Sequence, residues 1–126
     1  MKQQQRSMIK AYINAYNNMD VDGMTEDLAE DVVFENISSN KVDLRTEGLQ
    51  AFKKQAESAL QYFTKRKQSI KDWEFSDSKV TIVIDYEAIL AIDLPNGLKK
   101  GDTLKLEGAS EFEFEKGKIK SIRDKS

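Results

Sequence analysis

Apolar side chains recur at Ile9, Tyr12, Ile13, Tyr16 and Met19, spacings of three and four that line one face of a helix from about Ser7 to Met19. Asp20 then stands where an N-cap belongs, ahead of a short second helix in VDGMTEDLAE whose early carboxylates suit its positive end. VVFENI, residues 32 to 37, reads as a strand, and the polar SSNKVDLRTEG after it reads as a loop. Leu49, Phe52, Ala56, Ala59, Leu60 and Phe63 form the stripe of a longer helix from about Glu47 to Lys67, with the cations of TKRK at its C-terminal end, where the helix dipole favours them. Beyond it the period changes to two. IKDWEFSDS contains a strand with Trp73 and Phe75 on one face, and VTIVIDYEAILAI, residues 80 to 92, turns Val80, Ile82, Ile84, Tyr86, Ala88 and Leu90 to one side. DLPNGLKKGD is a turn. TLKLEGASEFEFE alternates Leu104, Leu106, Gly108, Ser110, Phe112 and Phe114 against charged neighbours, and IKSIRD supplies a last strand. Helices first and antiparallel strands after predict an α+β fold, helices covering the dry face of a curved sheet.

A chain of 126 residues, 39% hydrophobic and 33% charged, suits one globular domain over residues 1–126. It contains neither Cys nor His, which removes thiol nucleophiles, thiolate metal sites and the commonest general base, and leaves acid–base work to Asp, Glu, Tyr or Lys. A net charge of −2 gives no electrostatic footprint for nucleic acid. The acidic run Asp20, Asp22, Glu26, Asp27, Glu30 and Asp31 lacks the ligand spacing of a calcium loop, so no metal or cofactor is expected. MKQQQRSMIK has no apolar signal core and no run reaches membrane-spanning length, so the expectation is a cytoplasmic protein without a membrane partner.

VVFENI poses the sharpest chemical question. Alternation puts Val32, Phe34 and Asn36 on the same face and turns Glu35 to the other. An amide among apolar side chains costs about 1–3 kcal/mol unless it is hydrogen-bonded, so Asn36 is either a structural plug or a substrate holder.

AYNNMDVDGMTEDLAEDVVFENI, EGLQAF and the late EFEFEKGKIKSIRD together resemble the nuclear transport factor 2-like superfamily, and within it the SnoaL-like, ketosteroid-isomerase-like and limonene-epoxide-hydrolase-like proteins. The resemblance implies a cone-shaped, cystatin-like roll around an apolar cavity, and a homodimer joined through the sheet. It also implies roles for particular residues. The position of the steroid isomerases' base holds Asn36, an amide that cannot take a proton, which argues against that reaction. Tyr12 falls at their oxyanion-binding Tyr and Ser110 at their second oxyanion donor. The epoxide hydrolases' Asn is matched by Asn36 and their final-strand Asp by Asp124, while Phe34 replaces a Tyr, and Tyr86 and Ala88 replace the Arg and Asp of a middle strand. On this reading no other Arg or Lys shares that face.

The implied protein binds a compact hydrophobic or polycyclic ligand, with Asp124 and Tyr12 as candidate catalytic groups and Asn36, Tyr16, Phe34, Tyr86, Ser110 and Trp73 as candidate substrate contacts. Isomerase, cyclase and hydrolase chemistry all fit that scaffold, as does a non-catalytic binding or interaction module.

Overall fold

The computed structural model describes residues 2–126. Helix α1 (Lys2–Asn17) and the short α2 (Val21–Thr25) precede strands β1 (Leu28–Ser38) and β2 (Lys41–Glu47). Helix α3 (Leu49–Ala59) and one 3-10 turn (Leu60–Tyr62) lead into β3 (Phe63–Ser76), β4 (Lys79–Leu90), β5 (Thr103–Glu115) and β6 (Lys118–Lys125). The six strands form one sheet in the order β2-β1-β6-β5-β4-β3, antiparallel except where β6 lies parallel to β1. The sheet curves around the helices in the α+β roll expected. Among the described residues no helix is long and apolar enough to cross a membrane.

Ile9, Tyr12 and Ile13 carry the buried stripe of α1, and Asp20 caps α2 by accepting a hydrogen bond from the Gly23 amide at 3.0 Å. The inner face of the sheet joins α1 in one core through Val32, Val80, Ile82, Phe112, Ile119 and Ile122, all with no exposed surface. Full burial of side chains of this size contributes about 1.5–3 kcal/mol each. The far end of the roll is closed by Trp73 stacked on Phe75 at 5.8 Å, with the Arg6 guanidinium 4.6 Å from the indole centre.

Three element assignments change. SSNKVDLRTEG is largely strand β2 rather than loop: Leu44 and Thr46 turn inward between exposed neighbours, and β2 pairs with β1 from Val33↔Glu47 to Ser38↔Lys41. The second helix ends at Thr25, and β1 starts at Leu28 because Leu28 is drawn into the core beside Ile119.

The third change matters most. Helix α3 stops at Ala59, and TKRK lies in β3. Phe63 already has extended backbone (φ −130°, ψ 139°) and pairs with Leu90. From there Arg66 and Gln68 are buried, while Lys65, Lys67 and Ser69 on either side of them are exposed. The period-two signal is complete, but its inward positions are polar, so hydrophobicity does not reveal it. Lys65, Arg66 and Lys67 are therefore not a helix-end charge cluster.

Candidate active site

The strand register assembles the site. Asn36 on β1 and Ser110 on β5 are both register partners of Asp124 on β6, so three residues far apart in sequence form one row across the inner face. Tyr12 and Tyr16 reach the same region from the C-terminal half of α1. That half is fastened to β3 by Asn17, whose amide donates to the Gln68 carbonyl at 3.1 Å and accepts from the Gln68 N–H at 2.7 Å. Close approach of the last strand depends on Gly108, where a Cβ would stand 2.6 Å from the Lys125 carbonyl oxygen.

Two hollows open here, of about 200 Å³ and about 370 Å³. Tyr12, Phe34, Phe52, Ala56 and Arg66 wall the first, and Gln68, Ile84, Tyr86, Leu104 and Ser110 the second. Tyr16, Asn36, Phe63 and Asp124 line both, so Asp124 stands at their junction. Apolar walls with a few convergent polar groups are the usual lining of a small-molecule site.

Asp124 is half-buried, and burial pushes its carboxyl pKa up from 3.8 to about 6, an effect opposed by the Ser110 hydroxyl, which donates to Oδ1 at 2.7 Å. Such a carboxyl can hold or release a proton close to neutral pH. Tyr12 is buried against Phe52 and Phe112, and its phenol is held neutral chiefly by burial and secondarily by the negative charge of Asp124. Among the described residues its hydroxyl makes no protein hydrogen bond, and the side chain borders the first hollow. The Tyr16 hydroxyl donates to that of Tyr86 at 3.0 Å, and burial raises both phenols.

Asn36 lines both hollows, as its face predicts, but its Nδ2 donates to the Asp43 carboxylate at 2.9 Å. That bond fastens β2 to β1 at the cavity rim, so part of the amide is spent on structure. Phe34 packs edge-on against Phe52 at 5.7 Å and walls the first hollow. Ser110 is buried as the hydrogen-bond partner of Asp124. Trp73 lines neither hollow; it belongs to the closed end with Phe75 and Arg6. On the outer face Glu35 is covered and accepts from Arg45 at 2.6 Å and Arg123 at 3.0 Å, joining β2, β1 and β6.

Two inward residues escaped the sequence reading. Arg66, 3% exposed, faces the first hollow and corrects the expectation that no Arg or Lys shares this face. It pairs in register with Ala88 on β4. Gln68 is buried with its Oε1 lacking a hydrogen-bond partner. The strict alternation of KRKQS was the signal available for both. Among the described residues no three His, Cys, Asp or Glu side chains gather as a metal site.

The sequence matches the SnoaL-like domain over residues 9–122. The chain belongs to the SnoaL-like domain family. Members of this family share their fold with the nuclear transport factor 2-like superfamily, and similar solved structures agree. A candidate polyketide cyclase from Xanthomonas campestris pv. campestris is 22% identical, with a TM-score of 0.79 over 98% of this chain and 90% of that one. An LEH-like epoxide hydrolase from M. tuberculosis is 18% identical, with a TM-score of 0.76 over 98% and 82%. An uncharacterised cystatin-fold protein from Novosphingobium aromaticivorans is 18% identical, with a TM-score of 0.72 over 94% of each chain. At these identities the likeness establishes the fold and leaves the chemistry to the site. No curated protein matches the sequence.

Proposed function

We propose that the protein is an acid–base enzyme acting on a compact, largely apolar small molecule, with Asp124 as the proton-transferring group and Tyr12 as a hydrogen-bond donor to the reacting oxygen. One observation carries this reading: a carboxyl titrating near neutrality, backed by Ser110, stands at the junction of two apolar hollows. Isomerase, cyclase and hydrolase steps all need such a group, and the similar structures include candidates for the last two classes. Asn36, Tyr16, Phe34, Tyr86 and Ser110 would shape and orient the ligand; Trp73 drops out of this role. Asn36 remains unsuited to be the base. The reading includes a homodimer joined through the sheet, for which sedimentation equilibrium should return twice the chain mass.

The test is a panel of cyclic ketones and small epoxides incubated in D₂O or H₂¹⁸O, with isotope uptake followed by mass spectrometry. The wild type should turn over at least one member, and Asp124→Asn should slow that turnover by about 10²–10⁴-fold, the usual contribution of a positioned acid or base. Equal turnover by a folded Asp124→Asn removes Asp124 as the catalyst. Ligand binding without turnover of any member favours the non-catalytic binding module instead.

A further inference from the structure

Arg66 is a buried cation without a counter-ion. None of the ion pairs among the described residues includes it. Its Nε donates to the Tyr16 carbonyl at 2.9 Å, at the C-terminal end of α1, and its guanidinium lies 3.7 Å from the centre of the Tyr16 ring. Those contacts give the group a structural role and a partly favourable field. They do not satisfy its fork. Nη2 has only the Met24 sulfur, at 3.9 Å, and neither Nη1 nor Nη2 meets an oxygen acceptor among the described residues.

Among the described residues Asp124 is the one carboxyl lining the same hollow, and it forms no ion pair with Arg66. The Asp124 carboxyl accepts instead from Ser110. Both charges act on Tyr12 and Tyr16, which lie near each of them. Thus one apolar hollow holds an unpaired guanidinium and, separately, a carboxyl that burial keeps from ionising readily. A guanidinium with free N–H groups in a desolvated cleft is built for an oxygen anion, which it binds through two parallel charge-assisted bonds.

We propose that Arg66 is an anion subsite, so that the ligand of this cavity is an apolar ring system bearing one anionic oxygen group, a carboxylate or an ionised enol, held by the guanidinium inside the first hollow. The inference rests on the cavity being a ligand site, as the proposed function requires, but not on Asp124 being a catalyst. The anion would anchor at Arg66 while the ring lies along Phe34, Phe52 and Ala56, towards Asp124.

The experiment compares 2-naphthoate with the neutral 2-naphthamide, and adds 2-hydroxy-1,4-naphthoquinone as an ionised enol, by calorimetric titration at pH 7. For the wild type, one of the anions should bind about tenfold or more tightly than the amide, as expected when a charged partner joins the hydrogen bond. Which anion wins separates a carboxylate from an enolate ligand. Arg66→Met should abolish the preference while retaining naphthamide binding, and Arg66→Lys should restore part of it. Asp124→Asn should keep the preference even where it abolishes turnover. Equal binding of anions and amide, a preference that survives Arg66→Met, or binding of none of the three overturns the proposal. The wild-type comparison stands even if Arg66→Met does not fold. A preserved anion preference together with full turnover by Asp124→Asn would overturn the acid–base reading alone.

Discussion

Replacing Asp124 with Asn should make the protein more stable at neutral pH, because it removes a carboxyl that the native state holds in an unfavourable place. Burial raises the pKa of Asp124 from 3.8 to about 6. A gap of about 2 pH units corresponds to about 3 kcal/mol, at 1.36 kcal/mol per unit. Part of the residue still reaches solvent, so this is an upper bound. The sign follows from proton binding. Below 3.8 both the native and the unfolded carboxyl are protonated, and the site costs nothing extra. Between 3.8 and about 6 the unfolded chain releases its proton while the native state keeps it, so native stability falls as pH rises. Above about 6 the whole cost is present. Asn removes this term at every pH and can still accept from the Ser110 hydroxyl. The assay is urea unfolding followed by circular dichroism, for both proteins, in steps from about pH 4 to pH 8, with equal slopes required for comparison. Wild-type stability minus that of Asp124→Asn should decline by up to about 3 kcal/mol across the range, most of it before pH 7. A difference that stays flat would refute the buried, unpaired carboxyl. A difference that rises with pH would mean that Asp124 has a cationic partner in the native state.

Other consequences can be tested alongside. Ser110→Ala removes the one hydroxyl that favours the ionised carboxyl, so the Asp124 titration should move further up, read by carboxyl ¹³C NMR. Gly108→Ala places a methyl 2.6 Å from the Lys125 carbonyl, so β6 must shift; a loss of about 1–3 kcal/mol in urea unfolding and an altered Asp124 titration are expected. Phe112→Ala empties a fully buried site between Tyr12 and the sheet and should destabilise by about 3–5 kcal/mol. The Arg45 and Arg123 hydrogen bonds hold the Glu35 carboxyl below its usual range, so its stabilisation is present at neutral pH and lost as pH falls through that lowered pKa. Glu35→Gln should therefore lower Tm at pH 7, with a gap that closes in acid. Because both arginines are about half exposed, salt should narrow that gap as well.

The fold was readable because its apolar positions repeat at two clean periods. The stripe Ile9, Tyr12, Ile13 and Tyr16 could only be a helix, and the even positions from Val80 to Leu90 could only be one face of a strand. Errors arose where an inward position is not apolar or an apolar one is not decisive. Leu60 and Phe63 continue the stripe of α3 by spacing, yet Leu60 opens a 3-10 turn and Phe63 begins β3. The alternation of Leu44 and Thr46 in β2 is too short and too polar to stand out from a loop. For the site, the row Asn36, Asp124 and Ser110 depends on β6 lying between β1 and β5, a tertiary fact that no local pattern contains.

The residue hidden most completely was the one with the most chemical consequence. Patterning treats a cation in a sequence as evidence of a wet position, and for Lys65 and Lys67 that is correct. Arg66 between them breaks the rule, at a desolvation cost that its contacts with Tyr16 offset only in part. Gln68, polar though uncharged, is also turned inward two residues later, with an acceptor left unpartnered. Two adjacent inward positions of β3 thus sacrifice packing for polarity at the end of the roll where the cavity opens, while Trp73 and Phe75 on the same strand restore apolar packing at the closed end. A strand whose inward side turns from polar to aromatic along its length marks where a fold stops being core and starts being a site. Stability alone would favour apolar residues at both positions, so their polarity points to a requirement imposed by what the cavity holds.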